Sequence, residues 1–212
     1  MIVHRCEQGS PEWWSVRCGV PSASCFHRII TPKTGKLSAQ AFPYICELIA
    51  DRVLGIPPQA VDSFASAPMQ QGIDMEPEAR SWYEFDRGVT VDQVGFITTD
   101  DGRFGCSPDG LVGDVGGLEL KCPQVKTHVG YLLNGGLPDE YKCQVHGALV
   151  VTGRKWWDFV SYARHLPALV VRVVRDEFTE QLEAALQEFW PHYESAWQQV
   201  LKLKSEWRND VD

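Results

Sequence analysis

Gly105-Cys-Ser-Pro-Asp109-Gly-Leu-Val-Gly-Asp-Val-Gly-Gly-Leu-Glu119-Leu-Lys121-Cys-Pro123 sets two short strand signals on either side of a turn rich in glycine and aspartate. The strand candidates are Arg103–Ser107 and Gly117–Cys122, and this punctuation reads as a hairpin. Residues two apart on a strand point the same way, so Glu119 and Lys121 share a face while Leu120 points to the opposite, core side. Asp109 sits at the end of the preceding strand, and closing the hairpin brings its carboxylate to Glu119. Two converging carboxylates are costly without a cation between them. Hard oxygen ligands of this kind suit Mg²⁺ or Mn²⁺. A lysine beside them can hold or deprotonate a water, or neutralise charge on a phosphorane-like transition state. The plain alternative is a solvent-facing hairpin of alternating polar residues, but the Cys-Ser-Pro-Asp-Gly context favours a site.

Upstream of this stretch the chain reads as helical. Ser22–Ala23–Ser24 opens a helix-like segment, and Thr31–Lys36 is a polar loop. Helices are predicted over about Ser38–Leu54 and Pro68–Arg87, each closed by a glycine. Val89–Thr98 alternates as a strand. Downstream come a helix over Asp139–Val151 and strands over Trp156–Ala163 and Ala168–Val174. A long amphipathic tail follows, in which Pro191 must kink the helix or start a second one. Helices, a small mixed sheet interrupted by a helix, and a helical tail suggest one α/β (α+β) domain over residues 1–212, with a C-terminal amphipathic helix.

The chain has 212 residues, which suits one domain with a full core. With 44% hydrophobic and 23% charged residues it is neither a disordered chain nor a rod. No apolar run approaches the roughly 18 residues that span a bilayer, so no membrane partner is expected. The N-terminus lacks the basic stretch and apolar core of a signal peptide. The seven scattered cysteines then read as reduced thiols in a cytoplasmic protein. The net charge of −8, taken alone, argues against a polyanionic partner. It is unevenly spread, however, since residues 176–212 alone hold nine acids against three bases. A basic surface can therefore exist locally.

More of the chain joins the central pattern. Arg17-Cys-Gly-Val-Pro-Ser-Ala-Ser24, Gln71-Gly72 with Glu76 and Ala79, the Pro-Asp…Glu-x-Lys stretch, Tyr141-Lys-Cys-Gln144-Val-His146 and the aromatic strand Trp156–Tyr162 occur in this order. Taken together they resemble the lambda exonuclease (YqaJ-type viral recombinase) family of the PD-(D/E)xK nuclease superfamily, over about residues 7–200. Independently of that likeness, Glu76 shares a helix face with Ile73, Arg80 and Tyr83. A carboxylate on a core-facing stripe needs a partner or a cation. The alternative is an exposed Glu76 paired with Arg80.

The resemblance implies a restriction-endonuclease-like fold, a central mixed sheet flanked by helices. It implies two Mg²⁺ ions per site, for which Mn²⁺ would substitute, held by Asp109, Glu119 and the Leu120 carbonyl, with Glu76 completing the second metal's shell, directly or through water. Lys121 would orient or activate the attacking water and Gln144 would help to place it. Arg17, Ser24 and Ser107 match the family's 5′-phosphate pocket; a further basic position falls on Thr127, with Lys126 adjacent. Lys33 matches a basic residue that reaches the DNA ahead of the site, and Met69 an apolar residue that wedges between the strands. The implied activity is a 5′→3′ exonuclease on double-stranded DNA ends, leaving 3′ single-stranded tails for annealing-type recombination. The implied partners are DNA ends with a 5′-phosphate, two further copies in a ring-shaped homotrimer, and a single-strand annealing protein docking on the acidic C-terminal helical region.

Other chemistries fit less well. Cys143 and His146 could mimic a thiol–imidazole pair, but nothing orients the imidazole or supplies an oxyanion hole. The cysteines lack Cys-x-x-Cys spacing and the six histidines form no zinc pattern. The late tryptophans, Trp156 to Trp207, read as core or subunit interface rather than base-stacking platforms. An endonuclease of the same superfamily would share Asp109, Glu119 and Lys121 but would cut closed circles. A non-catalytic DNA-end binding protein would lack an intact site, whereas the acids and the lysine are all present.

Overall fold

A computed structural model describes residues 1–55 and 67–209. The chain opens with β1 (Ile2–His4), α1 (Pro11–Arg17) and a 3₁₀ turn (Ala23–Arg28), then α2 (Ala41–Leu54) and α3 (Ala67–Arg87). Five short strands follow: β2 (Val91–Asp92), β3 (Phe96–Thr98), β4 (Gly105–Cys106), β5 (Gly110–Val112) and β6 (Gly116–Lys121). The remainder is α4 (Val125–Asn134), α5 (Asp139–Thr152), β7 (Trp156–Ser161), β8 (Leu169–Val174) and α6 (Glu177–Asn209).

The strands form a mixed sheet in the order β2-β5-β6-β7-β8 and an antiparallel sheet in the order β1-β3-β4. β6 and β7 run parallel, with α4 and α5 forming the crossover between them. Side chains alternate along β6. Leu118 and Leu120 pack with Ala79 and Tyr83 of α3 in one core. Trp157 and Phe159, on the neighbouring β7, join a larger core with α2, α5 and α6. Glu119 lies in register with Phe159, which turns it toward α5. No helix among the described residues is long and apolar enough to cross a membrane.

Several sequence expectations change. The run Val89–Thr98 is not one strand but β2 and β3, which join different sheets. The switch occurs where a Cβ on Gly95 would lie 2.2 Å from the Cys6 carbonyl oxygen. Asp109 immediately precedes β5 instead of ending the strand before it, because Gly110–Val112 itself pairs with β6. α6 runs as one helix through Pro191. Losing one backbone bond there costs about 3 kcal/mol. Burial of Leu186, Phe189 and Tyr193 on both sides of the proline opposes that cost. β1, α1 and α4 carried too little periodicity to be expected. α1 starts on a local signal all the same: Ser10 Oγ accepts from Trp13 N, and Pro11 sits at the first turn.

A buried polar clamp ties α3 to the sheet. Asp158, 1% exposed, accepts from Tyr83 Oη at 2.8 Å and from Arg172 Nε and Nη2, each at 2.8 Å. Arg172 also lies 3.8 Å from the Trp156 ring centroid. The partners differ in access to water: the Arg172 side chain is 52% exposed and Asp158 is not. Arg172→Met should therefore destabilise the fold by about 3 kcal/mol, since it strands a buried carboxylate. Asp158→Ala should cost less, because the arginine can reach solvent. Urea midpoints of the two variants check the order, which would reverse if Asp158 were readily hydrated.

Candidate active site

The β5–β6 hairpin builds the centre of the site. Its register pairs Gly110 with Leu118, so Asp109 N donates to Leu118 O at 3.2 Å and Asp109 Oδ2 accepts from Leu120 N at 2.6 Å. One Asp109 oxygen is thus oriented by main chain. Glu119 is 3% exposed, and its Oε1 receives Lys121 Nζ at 2.5 Å and Gln144 Nε2 from α5 at 2.6 Å. Lys121 Nζ also lies 5.2 Å from the Tyr141 ring centroid. Glu119 and Lys121 share a face while Leu120 is buried against α3, as the strand period requires.

The electrostatics follow from burial of like charges. Desolvation raises the pKa values of Asp109 and Glu119; the Lys121 ammonium opposes this for both. Against its own desolvation, Lys121 is held above the usual lysine range by Glu119 and Asp109. Glu76 adds a third carboxylate. It is carried in by α3, which approaches the end of β6 closely: a Cβ on Gly72 would lie 3.2 Å from the Cys122 carbonyl oxygen. Burial and then the Asp109 charge push the Glu76 carboxyl up to about 7, while Lys121 and Arg80 pull it down. The stripe expected around it is only partly buried, since Tyr83 is enclosed but Ile73 is 49% exposed. Among the described residues Glu76 forms no ion pair with Arg80.

A cavity of about 490 Å³ joins this centre to the N-terminal region, and Arg17, Ser24, Ser107, Asp109, Glu119, Lys121 and Gln144 all line it. Arg17 Nη1 donates to Ser107 Oγ at 2.6 Å, and its guanidinium lies 4.1 Å from the Trp13 ring centroid. It turns inward rather than pairing with Glu12, which its spacing would also allow. Burial lowers its pKa from the ordinary arginine value. Ser24 stands exposed on the 3₁₀ turn. Lys33, in the polar turn before α2, and Lys126, on α4, are exposed and do not line this cavity. Met69 falls in the first turn of α3, and its side chain lies outside the described residues. Leu120 lines a separate cavity of about 410 Å³ with Glu76 and Lys121.

Trp13 was not among the expected site residues, yet its indole stacks on Arg17 and its Nε1 donates to Ser107 Oγ at 3.1 Å. The adjacent Trp13-Trp14 pair just inside a capped helix was the available signal. Arg80 was read only as a partner for Glu76. It instead lines a third cavity, of about 510 Å³, with Glu76 and Asp109. His146 is a structural histidine whose Nδ1 lies 2.8 Å from Thr179 Oγ1 at the start of α6.

The donor set suits a divalent cation. Its atoms are hard carboxylate oxygens, crowded enough to raise one another's proton affinity, which a metal charge would reverse. Among the described residues, no three His, Cys, Asp or Glu side chains already form a metal cage. Metal binding would therefore require Glu119 to exchange its contact with the Lys121 ammonium for one with the metal.

Comparison with known proteins places this geometry in context. The profile of the YqaJ-like viral recombinase domain matches residues 12–155. The crystal structure of an alkaline exonuclease (LHK-Exo) from Laribacter hongkongensis is 32% identical, with a TM-score of 0.81 over 93% of this chain and 99% of that one. LHK-Exo in complex with dAMP matches at the same identity and coverage with a TM-score of 0.79. A phage related exonuclease from Haemophilus somnus 129PT shares the fold, at 14% identity and a TM-score of 0.61 over 87% of this chain and 96% of that one. No curated protein sequence matches.

The raised Glu76 carboxyl gives a signed prediction for the protein in EDTA. Its folded pKa, about 7, lies above the ordinary value of 4.5, so the fold binds that proton more tightly than the unfolded chain does. The stability this contributes is complete below pH 4.5 and is lost as pH rises toward about 7. Glu76→Gln should flatten the fall in urea midpoint across this window. An unchanged pH profile would place Glu76 in solvent.

Proposed function

Because this chain belongs to the YqaJ-like viral recombinase family, we propose that it is a Mg²⁺-dependent exonuclease that degrades one strand of double-stranded DNA from its 5′ ends. The observation that carries this reading is the cavity in which Arg17 and Ser107 face the same space as Asp109, Glu119 and Lys121. An arginine that among the described residues is bonded only to a hydroxyl, and that stacks on an indole, is ready to take two phosphate oxygens. It stands beside the acids that would act on the next phosphodiester. The titles of the 32% identical relatives, an alkaline exonuclease and its complex with dAMP, support the same reading.

Asp109, Glu119, Glu76 and the Leu120 carbonyl would hold the metal ions, two per site. When bound, Mg²⁺ supplies charge that stabilises the entering and leaving oxygens of an in-line displacement. The chain's own groups do the rest. Lys121, an ammonium held beside Glu119, would orient the attacking water and offset charge on the phosphate. Gln144 keeps Glu119 from rotating away. Ser24 and Ser107 add hydroxyl donors to the 5′-phosphate held by Arg17. Lys33 and Lys126 serve the DNA outside the cavity, and Met69 wedges the duplex ahead of it.

The product would be a 3′ single-stranded tail, suited to annealing-type recombination. A homotrimer around the DNA and a single-strand annealing protein complete this reading. The acidic α6 offers that partner a surface, including Trp207, which is 66% exposed.

Digestion of end-labelled linear duplex, with and without a 5′-phosphate and beside a closed circle, tests the proposal. Linear DNA should be lost from the 5′-phosphorylated strand while the circle survives; cutting of the circle would identify an endonuclease instead. Arg17→Ala should erase the preference for phosphorylated ends. Lys121→Ala should slow the chemical step by about two orders of magnitude or more. Mg²⁺ affinity, read by calorimetry, should stay largely intact. A near wild-type rate would make Lys121 a structural counterion.

A further inference from the structure

Asp109 belongs to two cavities. One carries Arg17; the other, of about 510 Å³, carries Arg80 together with Glu76, Gln8 and Gln93. The second cavity has no role so far. Glu7, Glu76 and Asp109 set three carboxylates on it, and the Arg80 charge acts on the last two. Arg5, on its rim, is held by both oxygens of Asp92 at 3.0 and 2.9 Å. Arg80 forms no ion pair among the described residues. With the Gln93 amide oxygen turned toward it, Nη1 and Nη2 each donate to that neutral group at 3.0 Å. The Arg80 Nε is buried and has no hydrogen-bond partner. A permanent cation that lines a cavity and is held by an uncharged amide is suited to an anionic oxygen.

We propose that Arg80 and the cavity it lines bind a backbone phosphate of the strand being degraded, the one immediately 3′ of the bond to be cut. The inference rests on the proposed exonuclease reading. A strand whose 5′ end is held at Arg17 crosses Asp109 with its scissile phosphate. Its next phosphate then arrives on the far side of Asp109, where this cavity opens. Two arginines on opposite sides of the carboxylates would hold consecutive stretches of backbone and keep the intervening bond in register. Glu7, Glu76 and Asp109 also line the cavity, so the anion would bind there only with metal ions offsetting Glu76 and Asp109.

The test replaces that single phosphate by a neutral methylphosphonate in a 5′-phosphorylated linear duplex. Removal of the first nucleotide is timed in saturating Mg²⁺ with the full chain. Wild type should be slowed about ten- to a hundredfold, the scale of one charge-assisted hydrogen bond. Arg80→Gln should cut the unmodified duplex with a similar loss and discriminate little between the two substrates. Arg80→Lys, which keeps the charge but not the fork, should discriminate to an intermediate degree and covers the case in which Arg80→Gln fails to fold. Equal slowing of wild type and variants by the methylphosphonate would put the phosphate contact elsewhere. Absence of any slowing in wild type would remove the subsite. If wild type leaves the unmodified linear duplex intact, the exonuclease reading itself fails, which is a separate result.

Discussion

The structure depends on one buried charge. Glu119 is nearly inaccessible to water, and a carboxylate in such a place is tolerable only when its oxygens are matched. Lys121 Nζ and Gln144 Nε2 provide the match, one from the same strand and one from α5 across the sheet face. Much of the architecture brings those three together. β6 must lie inside the sheet to bury Glu119, and the β6–β7 crossover must place α5 over that face. The hairpin must close in the register that returns Asp109 to Leu118 and Leu120.

The supports around this centre are polar and mostly satisfied. Arg154, 9% exposed, donates through Nη1 to the carbonyls of Gly113 at 2.7 Å and Gly116 at 2.5 Å. Those residues flank the turn of the same hairpin, so the arginine holds the turn while Asp109 and Glu119 work at its other end. Asp158 performs the matching task on the opposite face, fixing α3 through Tyr83. Glu76 lies on that helix about two turns before Tyr83, so the clamp also sets where the third carboxylate stands. Such networks contribute little net energy when complete and cost much when one member is removed. They serve position more than stability.

The charge distribution now has a physical account. Most of the excess acid falls in residues 176–212, nine acids against three bases, and the acids in the site are buried against a lysine. Arg17 and Arg80 are instead held by a hydroxyl and an amide. A net charge of −8 is thus compatible with a local affinity for phosphate, because Arg17 and Arg80, unlike Lys121, form no ion pair among the described residues.

The sequence by itself determined the pairing of chemistry with a strand. The two-residue period alone put Glu119 and Lys121 on one face and Leu120 on the other, and the glycine- and aspartate-rich turn announced the hairpin. The family motifs likewise supplied Arg17, Glu76 and Gln144, and the helices from α2 to α6 were legible in their periodicity, α4 excepted. Tertiary structure decided the rest. Whether Val89–Thr98 was one strand or two depended on the Cys6 main chain, which is remote in sequence. Whether Pro191 broke α6 depended on the packing of Phe189 and Tyr193, which local propensity does not see. The role of Arg80 depended most on three dimensions: on a helix wheel it pairs with Glu76, whereas in the fold it faces Gln93 and a cavity. Periodicity reports which side of an element a residue occupies, while the identity of its neighbour is set by contacts between segments far apart in the chain.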